Sequence, residues 1–227
     1  MLLVIDSANT ENIKKLIEFF PIDGVTTNPT IITKENKPFL PLIKEIRSII
    51  GEEKMFFVQV LQEKAEEMVE EALYLKKEIG GNMYVKIPVT VEGIKAIKQL
   101  KEQNIKTLAT TIYTPMQAFV AAKAGADFVA PYVNRIDNLS GNGVQVVKEI
   151  VHIFEQHQLP CRVLAASFKN TQQVHQVCLE GAHGVTAGPD VIESLLSHPS
   201  TESNVKQFIH DWKLSYGETS DSLLNTH

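Results

Sequence analysis

Cysteine is scarce in this 227-residue chain: there are two, Cys161 and Cys178, and a single tryptophan. Two thiols without metal-ligand spacing, and far below the density of a secreted disulfide framework, exclude a cystine-stapled scaffold; both are predicted to be reduced core residues. The seven histidines are scattered over helix-like, strand-like and tail stretches without close pairing, so no metal site is expected. Charge of one sign is also missing. The net charge is −5, and basic residues alternate with acidic ones, as in "EKAEEMVEEALYLKKEIG" (63–80), which argues against a nucleic-acid partner. No long hydrophobic run occurs. "MLLVID" reaches Asp6 too early for a signal-peptide core and falls far short of the roughly 18 apolar residues of a membrane span, so a cytoplasmic protein with no membrane partner is expected. Finally, "DSANTEN" (6–12) holds no glycine, where a dinucleotide-binding open sheet would carry its glycine-rich fingerprint.

What is present is an ordinary globular composition, 44% hydrophobic and 22% charged, consistent with one large packed domain. Eight short apolar runs recur: 2–6, 24–28, 55–60, 83–88, 107–111, 127–132, 161–167 and 183–188. Between them lie segments with helical spacing, such as Ile13, Leu16, Ile17 and Phe20, or Val147, Ile150, Val151 and Phe154. Helix punctuation is explicit in "TPMQAFVAAKAG" (114–125), with Thr114 as cap, Pro115 in the first helical position and Gly125 past the end. Gly80 likewise closes a helix over 64–79, and Asn170 or Thr171 caps the segment 171–180. Strand–helix alternation with short connections predicts a parallel sheet, and eight units in this length fit a single α/β domain, a (β/α)8 TIM barrel over 1–200. An extra helix over 201–217 groups Val205, Phe208, Ile209 and Trp212 on one face, which suits packing on the barrel or on a neighbouring subunit of a homo-oligomer. Residues 218–227 read as a flexible tail.

Residues two apart on a strand share a face, and sites in this fold gather at the C-terminal strand ends. On that phase the strands end on Asp6 (after Val4), Thr26 and Asn28 (after Gly24), Gln59 (after Phe57), Lys86 (after Tyr84), Thr110, Tyr132 (after Ala130) and Ser167 (after Ala165). Arg135 and Lys169 follow just outside. Each has an ordinary alternative: Asp6 and Ser167 as helix caps, Asn28 before Pro29 as a turn former, Thr110 as a strand former. Lys86 is the hardest to explain that way, because an ammonium is depleted from strand interiors and costly to bury. Burial lowers a lysine pKa and supplies the neutral amine that attacks a carbonyl, whereas a lysine reaching the rim or paired with Asp6 would be structural. A Schiff-base lysine needs a carboxyl group for a hydroxyl proton, polar groups to hold a water, and a cation for a phosphate. Asp6, then Gln59, Thr110 and Tyr132, then Arg135 with Ser167 can fill those roles.

The segments "GVTTNPTII" (24–32), "VKIPVTVEGIKAIKQL" (85–100), "APYVNRIDN" (130–138) and "VLAASFKN" (163–170) resemble the transaldolase family, and more closely its small fructose-6-phosphate aldolase branch. The resemblance implies a Schiff-base lysine on the fourth strand, where Lys86 falls, and Asp6 acting on the C4 hydroxyl proton. It implies Thr26 and Asn28 on the sugar, Arg135 and Ser167 on the phosphate, no metal or organic cofactor, and ring-like pentamers or decamers. Transaldolases resemble one another in a glutamate on the third strand and a phenylalanine on the sixth. Gln59 and Tyr132 match the aldolase branch instead. The implied reaction is reversible cleavage of fructose 6-phosphate to dihydroxyacetone and glyceraldehyde 3-phosphate. Transfer of a dihydroxyacetone unit between sugar phosphates of the pentose phosphate pathway is the second reading, and a non-catalytic sugar-phosphate-binding protein the third. "TAGPD" (186–190) departs from the "LP"-containing segment of the aldolase branch.

Overall fold

The structure, a computed structural model, describes residues 1–217 and Leu223. In chain order the elements are β1 (Leu2–Asp6), α1 (Thr10–Phe19), β2 (Gly24–Thr26), α2 (Pro29–Lys34), α3 (Phe39–Ile50), β3 (Met55–Gln59), α4 (Ala65–Ile79), β4 (Met83–Pro88), α5 (Val91–Glu102) and β5 (Thr107–Ile112). They continue as α6 (Pro115–Ala124), β6 (Phe128–Pro131), α7 (Val133–Asp137), α8 (Gly143–Gln156), β7 (Arg162–Ala166), α9 (Thr171–Leu179), β8 (Gly184–Ala187), α10 (Pro189–Ser194) and α11 (Pro199–Tyr216). The strands pair in parallel in sequence order, and β1 closes on β8 to complete the barrel. This is the predicted (β/α)8 architecture with one departure. Two short helices, α2 and α7, stand between a strand and its long helix, each too brief to leave a periodic signature in the sequence.

Strand alternation sorts the apolar residues into two layers. Residues on one face, including Ile5, Val25, Phe56, Val85 and Val163, pack under the helices. Those on the other, Val4, Met55, Phe57, Leu108, Phe128, Ala130, Leu164 and Ala166, fill the barrel axis. Within this plug Phe57 stacks on Tyr84 at 4.8 Å between ring centroids, and Phe128 meets both edge-on. At the end where the strands begin, Lys106 lies over the Tyr84 ring and Arg162 over Phe128, closing the plug with cation–π contacts.

Local signals behaved as their chemistry requires. Thr114 and Gln117 form a reciprocal capping box on α6, and Gly125 ends it at φ 102°, a conformation that favours glycine. Asn170, rather than Thr171, caps α9 by accepting from the Gln173 N–H. Cys161 is buried as expected, but Cys178 is exposed. On α9 the inward stripe is Val174 and Val177, and one residue further on is about 100° around the helix.

A compact unit spans Met1–Ile192 and a second spans Glu193–His227, so the first ends before residue 200. In the second, α11 starts at Pro199, two residues before the expected 201, because His198 caps it and Pro199 suits the first turn. Its Val205, Phe208 and Ile209 are exposed, and Trp212 packs on Tyr216 at 4.3 Å. The expected tail, 218–227, lies outside the described residues apart from Leu223.

Gly24 shows how tightly β2 and β3 meet, since a Cβ there would lie 2.3 Å from the Met55 carbonyl oxygen. Gly24→Ala is therefore predicted to destabilise the barrel by about 1–3 kcal/mol through overpacking, read as a lower urea midpoint; an unchanged midpoint would contradict the packing described.

Candidate active site

A cavity of about 220 Å³ opens at the C-terminal ends of the strands, above the aromatic plug. Lys86 lies on its floor and is 5% exposed. In β4, Tyr84 and Lys86 share the axis-facing side, so the amine sits one strand step above an aromatic ring. Its Nζ donates to the Thr27 carbonyl at 2.6 Å, not to Asp6. Burial pushes the Lys86 pKa down from the ordinary lysine value; the Asp6 carboxylate opposes that shift and the Arg135 guanidinium adds to it. The result is an amine biased toward its neutral, nucleophilic form.

Asp6, at the end of β1, is shifted the other way. Burial raises its pKa, while Lys86, the Thr26 hydrogen bond and Arg135 pull it down. Thr26 donates to Asp6 Oδ1 at 2.8 Å, and its oxygen is also within hydrogen-bond distance of the Thr186 hydroxyl. A hydroxyl has one proton, so with Thr26 donating to Asp6, Thr186 must donate to Thr26. Thr186 on β8 is a cavity residue that the strand-end expectations do not include, although it opens the "TAGPD" segment in phase with the other strand ends. It supplies the eighth strand's polar terminus.

Across the cavity the Thr110 and Tyr132 hydroxyls are 2.9 Å apart. The pairing of β5 with β6 shifts register between Ala109 and Ile112, and Thr111 there has φ 64°, sparsely populated for a β-branched residue. Tyr132 precedes α7, whose Arg135 lies over the Tyr132 ring at 4.7 Å. That short helix is braced from below: Asp137 accepts from the Gly143 N–H at 2.7 Å and from Gln173 Nε2 at 2.7 Å. Arg135 is thus aimed at the cavity by a fixed element.

Asn28 lines the cavity and also caps α2, accepting the Ile31 N–H at 3.0 Å. Its amide group remains available to a ligand. Two expected residues are placed differently. Ser167 does line the cavity, but the phase drawn for the seventh strand is off by one: Ala165 faces the helices, and Leu164 and Ala166 face the axis. Ser167 reaches the cavity past the end of β7 because its backbone turns to φ 62°. Lys169 is exposed and is not among the cavity-lining residues; its backbone N–H is held by Gln173 Oε1. Gln59 lines a neighbouring recess between the β3 and β4 loops, with Gln62, Pro88 and Thr90, rather than this cavity. Lys34, Thr30 and Ile31 were not anticipated, and enter the lining from α2. Among the described residues no group of three or more His, Cys, Asp or Glu side chains comes together to hold a metal.

A parallel barrel with a buried amine, a carboxyl and a cation converging at the C-terminal strand ends belongs to the class of barrel enzymes. Among solved structures, one titled "Native KDPGal structure" shares this fold with a TM-score of 0.58 at 16% identity, over 83% of this chain and 82% of that one. Residues 3–226 match the family described as transaldolase/fructose-6-phosphate aldolase, and the chain belongs to that family. It is accordingly an enzyme of carbon–carbon bond cleavage or transfer on sugar phosphates. No helix among the described residues is long and apolar enough to cross a membrane.

The opposed charges around Lys86 give a signed prediction. Arg135→Met removes a charge that lowers the Lys86 pKa, so the pH midpoint for modification of Lys86 by a small amine-reactive reagent, read on its peptide by mass spectrometry, should move up. Asp6→Asn removes a charge that raises it, so the midpoint should move down. Shifts in the same direction would contradict the electrostatics described.

Proposed function

We propose that this chain is a class I aldolase that reversibly cleaves fructose 6-phosphate to dihydroxyacetone and glyceraldehyde 3-phosphate through an imine on Lys86. The observation that carries this reading is the Lys86 amine itself, buried on an apolar floor with its pKa depressed by burial yet open to a cavity that also holds Asp6. In the cleavage direction Nζ attacks the C2 carbonyl and water leaves, forming a protonated imine. Asp6 takes the C4 hydroxyl proton, the C3–C4 bond breaks, and its electrons pass into the imine to give an enamine. Glyceraldehyde 3-phosphate departs as the aldehyde. Proton return to C3 and addition of water then release dihydroxyacetone and restore the amine. The Thr110 and Tyr132 hydroxyls, 2.9 Å apart, suit a shared water for those proton transfers. A carboxyl whose pKa burial has raised suits Asp6 for accepting and returning a proton near neutrality.

Thr26 and Asn28, in the cavity wall, are assigned to the sugar hydroxyls, and Arg135 with Ser167, also in the wall, to the phosphate. The distinction from transaldolase rests on Tyr132, whose hydroxyl meets that of Thr110 in the cavity; Gln59, which also matches the aldolase branch, lines the neighbouring recess. We place the enzyme in the cytoplasm as a homo-oligomer, with the exposed Val205, Phe208 and Ile209 of α11 seated on another copy; its solution mass against the 25.3 kDa chain measures that.

Fructose 6-phosphate alone should release glyceraldehyde 3-phosphate, with Lys86→Met inactive. Release only after erythrose 4-phosphate is added would make the enzyme a transaldolase, and no release under either condition would leave a sugar-phosphate-binding protein.

A further inference from the structure

Besides Lys86, two cations line the cavity, Arg135 and Lys34. The second has no role in the mechanism above. Lys34 ends α2, and the helix turns one face into the cavity, because Thr30, Ile31 and Lys34 are spaced three and four residues apart. The other end of that helix is fixed by Asn28, itself in the cavity wall, so the reach of Lys34 is tied to the site.

Lys34 is exposed and forms no ion pair among the described residues. Its neighbour Glu35 accepts from Asn9 Nδ2 at 3.3 Å and makes no ion pair with it. Of the two cations, Arg135 acts on both Asp6 and Lys86, and Lys34 acts on neither. Both are exposed, and Lys34 is the cation more remote from the reacting pair. An ammonium without an ion-pair partner in the cavity wall, together with the Arg135 guanidinium, makes the cavity attractive to an anion on the far end of a substrate. Lys169, which was expected to help there, does not line the cavity.

We infer that Lys34 is an anion contact that selects aldehydes carrying a phosphate over neutral ones, without taking part in imine chemistry. This rests on the Schiff-base reading above. Because the ammonium is solvent-exposed, its contribution is that of a surface charge pair, a factor of about 2 to 5 in affinity, weakened by salt.

The test is condensation of dihydroxyacetone with glyceraldehyde 3-phosphate or with uncharged glyceraldehyde, in wild type, Lys34→Gln and Lys34→Arg. Lys34→Gln should raise KM for the phosphorylated aldehyde about 2- to 5-fold and leave its kcat and the KM for glyceraldehyde unchanged. Lys34→Arg should keep the wild-type KM, and added salt should shrink the difference. Equal changes for both aldehydes, or none, would overturn the assignment of Lys34 alone. Wild-type enzyme that condenses neither aldehyde would overturn the aldolase reading and this inference with it.

Discussion

The Lys86 amine rests on a plug of Phe57, Tyr84 and Phe128, and hydrocarbon beneath an amine disfavours its charged form. That placement has to be held against a chain that would sooner let a lysine reach water. Closure of the barrel does the holding. β3 and β5 flank β4 in register along its length, with Gln59 opposite Lys86 on one side and Leu108 on the other. The Thr27 carbonyl takes one Nζ hydrogen bond. The amine thus has a partner that accepts a proton-bearing nitrogen in either charge state, which a carboxylate contact would not leave so evenly balanced.

Asp6 completes the arrangement from across the barrel. Its carboxyl is buried, so its pKa rises, and the paired Thr186 and Thr26 hydroxyls orient one of its oxygens in the cavity wall. Burial raises the carboxyl and lowers the amine, and each shift moves its group toward proton exchange near neutral pH. Arg135 acts on both and lies just outside, held over Tyr132 by a helix whose own side chains are tied down. Chemistry and binding are carried by different elements: strand ends for the reacting groups, short helices for the rim.

That division explains how much the sequence could reveal. Strand period alone located Asp6, Thr26, Lys86, Thr110 and Tyr132, because a buried strand leaves side chains only two directions and a polar group among apolar ones stands out. Capping chemistry located the ends of α6 and α9. Ser167 was found for the wrong reason: its strand runs apolar on both faces, "VLAA", so phase is undetermined, and a left-handed backbone brings it into the cavity. Lys34 leaves no mark in the sequence, since no periodicity shows in a six-residue helix, and Lys169 follows β7 but is exposed outside the cavity lining. Gln59 followed the strand phase correctly, yet the last residue of a strand is also where the chain leaves the barrel, and the recess it lines belongs to the loops. Thr186 follows the same period, at the start of "TAGPD".

Every step of the proposed reaction follows from Lys86 attacking a carbonyl. Incubating the enzyme with dihydroxyacetone and borohydride, then mapping peptides by mass, tests this directly. One reduced dihydroxyacetone unit is expected on the peptide carrying Lys86, absent from Lys86→Met and diminished by prior protonation at acid pH. Enzyme that remains unmodified, or an adduct that persists in Lys86→Met, would contradict it.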